Sequence, residues 1–104
     1  MDKISEFKDK AARNIKIADH ILTQTYPSLN DPKLLLAVLE NLFLDMSNAL
    51  TALLHYEEYH DRVPRFQDEF DSKLNLFKLK VARQHQITPE VTSFLQDLKA
   101  KVSA

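Results

Sequence analysis

The stretch LLLAVLENLFLDMSNALTALL, residues 34–54, decides the fold of this chain. Six of its residues are polar and the others are apolar. It is too long for a buried strand, which usually has about four to eight residues, and it is poor in β-branched residues. The stretch therefore predicts a helix, and its apolar character predicts that other helices pack around it.

The polar residues of this stretch share one arc of a helical wheel drawn at about 100° per residue. The remaining apolar arc is wider than the stripe of about 100° that a core-facing helix needs. The excess predicts contact with two or three neighbours, one of which can belong to another subunit. Asp45 lies near the middle and would cost about 2.5–3.5 kcal/mol at the centre of a bilayer, so we expect no membrane span.

The composition bounds the function. The chain has 104 residues, a formal net charge of −1, no cysteine and no glycine. The near-neutral charge gives no reason to expect nucleic acid or an anionic membrane as a partner. The lack of cysteine excludes disulfides, thiol catalysis and thiolate metal sites, and leaves the redox compartment open. The lack of glycine excludes phosphate-binding loops, dinucleotide-binding turns and nucleophile elbows.

The chain is predicted to be one all-α domain, residues 1–104. Its N-terminal sequence MDKISEFKDK lacks the apolar region of a secretory signal, so we expect a cytoplasmic protein. Prolines mark the boundaries, and Tyr26 before Pro27 should end the first helix. Asn30 or Asp31 is predicted to cap the second helix. The predicted helices are residues 2–25, 32–60, 64–84 and 89–102.

Short connections between helices favour antiparallel neighbours. The predicted fold is therefore a four-helix bundle with antiparallel neighbours, built around a long and very apolar second helix. In the third predicted helix, Phe66, Phe70, Leu74, Phe77 and Val81 recur at spacings of three and four. These aromatic residues are interpreted as core and not as a base-stacking surface.

The sequence HYEEYHDR, residues 55–62, is the sharpest cluster of chemically active residues. Glu57 and His60 have the spacing that di-iron sites in helical bundles use, but such sites need a second copy of the motif and two further glutamates. The chain contains no second copy. We therefore predict no metal and no other cofactor.

Glu57, Glu58 and Asp61 resemble the E-E-x-x-E motif of the all-α, MazG-like pyrophosphatases. That resemblance implies a Mg²⁺ ion held by acidic residues of two antiparallel helices, and Asp68 and Asp71 would supply the facing pair. Asp61 stands where the family has its third glutamate. The cluster also lies at the tip of a helical hairpin, where the family places it within a helix.

A long central helix carrying NALTALL, residues 48–54, in a chain of this size resembles the HEPN superfamily. The family includes ribonucleases and companions of minimal nucleotidyltransferases, and its RNase motif is an arginine followed by a histidine after four to six residues. Arg13 and His20 match that spacing, and Asn14 follows the arginine. They lie in the first predicted helix, whereas the family has the motif in a late helix, so the activity does not carry over.

The simplest interpretation of residues 55–71 is the end of one helix and the start of another. Glu57 with Asp61, and Glu58 with Arg62, have the spacing of residues that adjoin on a helix surface. Arg62, Arg65 and Lys73 could form a small basic surface, although acidic residues lie between them. The candidate site without an assigned role is Glu57, Glu58, His60, Asp61, Arg62, Arg65, Asp68 and Asp71.

The predicted function is a non-enzymatic helical interaction module that self-associates as a homodimer or binds another protein through its helix faces. Leu44, Leu76 and Leu79 lie outside the main apolar stripes, and contiguous exposed apolar residues mark interaction sites. Asn48 is either exposed or buried where it fixes the register of a bundle or dimer. The alternatives are a HEPN-type ribonuclease or nucleotidyltransferase companion, and a MazG-like nucleotide hydrolase.

Overall fold

The computed structural model describes residues 2–25 and 30–103, except for the side chain of Thr25. The predicted helix stop at Tyr26 lies outside this part of the chain. The described residues form helices and no strand, so the all-α prediction is confirmed. The helices are α1, Lys3–His20, continued by a π-helical turn, Ile21–Thr25; α2, Pro32–Tyr59; α3, Phe70–Leu76, continued by a π-helical segment, Phe77–Ala82; and α4, Pro89–Ser103.

Aspartates begin the first two helices. The Asp2 carboxylate accepts a hydrogen bond of 3.0 Å from the backbone N–H of Ile4. The Asp31 carboxylate accepts from the N–H groups of Lys33 and Leu34 at 3.1 and 3.2 Å. These bonds satisfy N–H groups that have no partner inside the helix. The prediction of a cap at this point is confirmed, and Asp31 is the capping residue.

The end of α2 is a left-handed turn made without glycine. Asp61 has a φ of 58°. Its N–H donates to the carbonyl of Glu58 at 3.0 Å, and the N–H of Arg62 donates to the carbonyl of Glu57 at 2.9 Å. This pair of bonds is the Schellman motif that ends many helices, usually with glycine at the left-handed position. The turn sends the chain back towards α2.

Three contacts fix the direction of α3 relative to α2. The rings of Phe43 and Phe70 lie 5.0 Å apart. Further along both helices, Lys73 bonds to Thr51, and His85 after α3 bonds to the side chain at position 57. The contacts advance together along both segments, so α3 runs parallel to α2. The prediction of antiparallel neighbours is wrong for this pair.

The remaining pairs run in opposite directions. Phe7 of α1 lines a groove with Leu53 of α2, and Ala18 lines another with Leu39. Contacts that descend along one helix as they rise along the other show that α1 and α2 are antiparallel. The helix α4 likewise runs antiparallel to α3, because its Lys99 reaches the first turn of α3 at Asp71 while Pro89 adjoins Ala82 near the other end.

A segment without helix, residues 60–69, makes the parallel arrangement possible; after the left-handed turn at Asp61 we call it the extended segment. The predicted helix at residues 64–84 begins at Phe70 instead of residue 64 and ends at Ala82. An extended chain advances about 3.3 Å per residue against about 1.5 Å in a helix, so these residues carry the chain back along α2. Val63 is buried, and the Phe66 ring lies 4.9 Å from that of His55.

The core lies around α2, as the sequence predicts. The helix packs on α1, α3 and α4, and Met46, Leu50 and Leu54 are completely buried. The rings of Phe7 and Phe77 approach to 5.3 Å and join α1 to the π-helical segment. By length and composition α2 could cross a membrane, a test that the core helices of soluble proteins also pass.

Candidate functional site

Four polar side chains of the described residues are buried, one on each helix: Asn14 of α1, Glu57 of α2, Lys73 of α3 and Thr92 of α4. The sequence analysis assigned none of them to the core. Periodicity does place Glu57 there, because it follows Leu50, Leu53 and Leu54 at the spacing of the apolar stripe. A buried polar group requires a hydrogen-bonding partner, so the partners of these side chains show what each one does.

The carboxylate of Glu57 is completely buried and is held from two sides. Its Oε2 accepts from Nε and Nη2 of Arg62, at 2.6 and 2.5 Å. Its Oε1 lies 3.1 Å from Nε2 of His85, in the turn between α3 and α4. A two-pronged arginine–carboxylate pair is strong and fixes the geometry of both groups. Arg62 thus fixes the end of α2, and His85 ties this end to the turn before α4.

Arg62 is committed to this contact. Its hydrogen bond with Glu57 raises the pKa of the guanidinium above its ordinary value. The guanidinium also lies over the ring of Tyr56, with 5.4 Å between its Cζ atom and the ring centroid. An arginine held between a buried carboxylate and an aromatic ring has a structural role and is not a free cation awaiting a phosphate.

Lys73 makes the second buried polar contact. Its side chain is 8% exposed, and its ammonium donates to Oγ1 of Thr51 at 2.9 Å and to Oδ1 of Asp68 at 2.5 Å. The hydrogen bond from Lys73 lowers the pKa of Asp68. The lysine thus joins α3 to α2 and to the extended segment. The basic surface that Arg62, Arg65 and Lys73 could have formed is not present, since Arg62 and Lys73 are held in ion pairs.

Asp45 makes the third contact, between α2 and α1. One carboxylate oxygen accepts from Lys10 at 3.0 Å and the other accepts from the buried Asn14 at 2.9 Å. The bonds from Asn14 and Lys10 lower the pKa of Asp45, and the nearby charge of Arg13 acts in the same direction. The carboxylate in the middle of the apolar stretch therefore positions one helix on another.

The other candidate residues are scattered. Glu58 lies 3.5 Å from His55 and does not form the expected pair with Arg62. Asp71 lies 3.9 Å from Lys99, and the His60 ring stacks edge-on against Tyr56 and Tyr59. Within residues 2–25 and 30–103, no three His, Asp or Glu side chains come together in a way that could hold a metal ion. The Mg²⁺-dependent alternative finds no support in this part of the chain.

The residues of the nuclease alternative lie apart from this cluster. Arg13 and His20 are both exposed on α1. They are seven residues apart, which places them on one face of the helix with about 10 Å between them along its axis. The charge of Arg13 acts on Asp45, whereas His20 makes no hydrogen bond or ion pair with a described residue. The two residues share one face of α1 but do not contact each other.

Grooves between α3 and α4 do not include the buried cluster. One, of about 300 Å³, is lined by Lys78, Arg83 and the first turns of α4. The other, of about 370 Å³, is lined by Phe70, Asp71 and Lys99 among others. Neither Glu57 nor His85 lines either groove.

Exposed apolar side chains are the remaining distinctive feature. Leu44, midway along α2, is 59% exposed, and Leu79 on α3 is 64% exposed. Both were expected outside the core from their positions in the sequence. Leu76, named with them, is half-buried and packs against the core. Asn48 is exposed, so it does not fix the register of helices inside this chain.

Comparison with known proteins gives no relative from which to argue. No protein-family model matches the chain, and neither a curated protein nor a solved structure matches it. The residues of the chain itself are therefore the basis for its proposed function.

Proposed function

We propose that this chain is a non-enzymatic helical interaction module that self-associates as a homodimer. The observation that carries the proposal is the exposure of large apolar side chains on a helix whose other face already forms the core. Leu34 and Leu44 of α2 are both exposed on the side of the helix away from the core. Burying one such side chain contributes about 1.5–3 kcal/mol, so a partner that covers them gains substantially.

The polar side chains support a structural role rather than catalysis. A general acid or base must reach the reacting group at hydrogen-bonding distance. The carboxylate of Glu57 is buried against Arg62 and His85, and the ammonium of Lys73 is held by Thr51 and Asp68. These groups hold the helices together, which leaves the apolar surface as the feature available to a partner.

The proposal extends to the architecture. We regard the four helices as a bundle in which residues 60–69 form a crossover connection, an arrangement known among bundles. A HEPN-like relationship is supported by the position of residues 48–54, within the 28-residue helix α2 that packs on the three other helices. The family's nuclease activity is not part of this proposal.

The mass of the purified chain in solution tests self-association. We expect size-exclusion chromatography with light scattering, at micromolar concentration, to give about twice the 12.1 kDa of one chain. A single species of 12.1 kDa over the whole accessible range would refute the proposal.

Activity assays test the non-enzymatic part. We expect no Mg²⁺-dependent nucleotide turnover and no RNA cleavage by the purified chain. Nucleotide turnover that disappears in Glu58→Gln, or RNA cleavage that disappears in His20→Ala, would show that an enzymatic alternative is correct.

A further inference from the structure

We infer that the partner of α2 is α2 of a second copy, packed parallel to it along one exposed stripe. This inference rests on the proposed self-association and adds the face, the partner helix and its direction. The α2 stripe consists of Leu34, Ala37, Asn41, Leu44 and Asn48, each of which is exposed.

The spacing of the α2 stripe is that of a seam between two helices. Its residues follow one another at intervals of three, four, three and four. This alternation keeps a seam facing a single partner helix over about 21 Å of helix length. The buried residues Leu39, Met46 and Leu50 lie on the opposite side of the same helix. The stripe is therefore a separate face of α2 and not a continuation of its core-facing side.

Two asparagines in the stripe favour a parallel arrangement. Asn41 and Asn48 are seven residues apart, so they occupy the same position of consecutive heptads. In a parallel pair each meets its own counterpart, and two amides can then donate to and accept from each other. The intervals of the stripe place both asparagines at position a of the heptad. Asparagine at position a is known to set the register and oligomeric state of parallel coiled coils. Neither amide bonds to another described residue of the chain.

Charges beside the stripe favour the same direction. On one side lies Asp45, which is paired with Lys10 of α1, and the charge of Arg13 on α1 acts on the same carboxyl. On the other side Glu40 is exposed. Neither Arg13 nor Glu40 forms an ion pair with a described residue. In a parallel pair, each side of the stripe meets the opposite side of the stripe on the second copy. Arg13 of each copy then faces Glu40 of the other, which gives two favourable charge pairs. In an antiparallel pair, Arg13 of one copy would instead face Arg13 of the other.

Single-cysteine variants test the direction directly, because the natural chain has no cysteine to interfere. We expect both Leu34→Cys and Leu44→Cys to form disulfide-linked dimers under mild oxidation, since a parallel seam brings each position beside its own counterpart. The control Leu79→Cys is equally exposed but lies on α3, and it should remain unlinked. In an antiparallel pair at most one of the two α2 positions lies near the symmetry axis.

Charge reversal provides an independent test that does not depend on disulfide geometry. We expect Arg13→Glu and Glu40→Arg each to raise the dimer dissociation constant about tenfold. The double variant should return it to within about twofold of the wild-type value, because the pair is re-formed with its charges exchanged. Failure of the double variant to recover affinity would contradict the parallel arrangement.

The outcomes separate the two levels of the proposal. A wild-type chain that stays monomeric refutes both self-association and the seam. A dimer in which Leu34→Cys and Leu44→Cys do not both cross-link refutes the seam and leaves self-association standing. Flotation of the wild type, but not Leu44→Glu, with vesicles of neutral phosphatidylcholine would show that lipid covers the stripe, and this also refutes the inference.

Discussion

At the scale of single residues, Glu57 illustrates how local geometry permits a buried charge. An ionised carboxylate in a core is costly unless it is paired and hydrogen-bonded. The left-handed conformation of Asp61 turns the chain so that Arg62 reaches back, bonding both its backbone N–H and its guanidinium to the same residue. His85 supplies the remaining contact. One unfavourable backbone conformation thus positions the cation that makes the carboxylate acceptable.

Removing the arginine should therefore destabilise the fold strongly. We expect Arg62→Ala to lower the free energy of unfolding by about 3 kcal/mol, because it leaves a buried carboxylate with a single partner. Urea denaturation monitored by circular dichroism measures the change. Arg65→Ala is the matched control: Arg65 is exposed, three residues away, and the change should be within about 0.5 kcal/mol.

A second variant tests whether the unpaired carboxylate of Glu57 causes this destabilisation. The double variant Glu57→Leu/Arg62→Ala removes the buried charge together with its partner. We expect it to be more stable than Arg62→Ala alone. A double variant that is less stable would mean that the carboxylate contributes through His85 more than it costs by burial.

Gln86 is the second residue held in a left-handed conformation after a helix, with a φ of 55°. The N–H of Ile87 donates to the carbonyl of Ala82 at 2.9 Å across this turn. The left-handed region costs a residue with a side chain about 1–2 kcal/mol, and glycine avoids most of that cost. We expect Gln86→Gly to raise the free energy of unfolding by about 1 kcal/mol.

The control for this prediction uses the same substitution within a helix. Gln96→Gly in α4 should lower the free energy of unfolding by about 1 kcal/mol, because glycine is unfavourable in a helix interior. Equal effects at both positions, of either sign, would show that the left-handed geometry at Gln86 is not what determines its response.

At the scale of elements, the polar contacts determine how the helices pair and in which register. The bonds of Asp45 with Lys10 and Asn14 require one register. Lys73 does the same for α3 through Thr51 and Asp68. These contacts specify the arrangement that apolar burial stabilises.

The contact between α1 and α2 should weaken in acid. Because the folded-state pKa of Asp45 lies below its ordinary value of 3.8, its stabilising contribution is complete above about pH 5. The contribution is lost as the pH falls through the folded-state value. We expect Asp45→Asn to be less stable than wild type at neutral pH, and the difference to shrink as the pH falls towards 3.

Thermal unfolding at a series of pH values checks this prediction. The comparison variant Asp9→Asn changes an exposed aspartate of α1 and should follow the wild-type pH dependence. A difference between wild type and Asp45→Asn that is constant from pH 7 to pH 3 would show that the ionised carboxylate does not contribute.

The sequence was sufficient to predict most of the helices. Apolar periodicity and the cap at Asp31 located α2 to within one residue at its end, and Pro89 located the start of α4. It misplaced the start of α3, because Pro64 is equally suited to a helix and to an extended chain. The deciding contacts are long-range: Val63 enters the core, and Asp68 bonds to Lys73.

The candidate site was harder to anticipate for a related reason. The local pattern around Glu57 and Glu58 indicated an exposed helix end, and the expected partners were four residues away. The actual partner His85 lies 28 residues further along the chain. Nothing near Glu57 in the sequence identifies His85 as its partner. The usable signal was the position of Glu57 in the apolar stripe, which predicts burial and hence a partner from elsewhere.

At the scale of the whole molecule, elongation explains why apolar residues remain exposed. The described fold measures 47 by 25 by 20 Å, and a 28-residue helix is about 42 Å long. The helix α2 therefore runs nearly the full length of the molecule. The three neighbours cover its core face along most of this length but do not surround it. The uncovered side carries Leu34 and Leu44, which a second copy can bury.

Self-association makes stability depend on concentration, because folding is then coupled to assembly. We expect the unfolding temperature of the wild type to rise with protein concentration. Leu44→Glu should abolish that dependence while leaving the low-concentration unfolding temperature almost unchanged, since Leu44 contributes little to the core of a single chain. Leu79→Glu, a comparable change on α3, should keep the wild-type dependence. If Leu44→Glu instead lowers the unfolding temperature equally at every concentration, the leucine stabilises the single chain and the dimer does not use it.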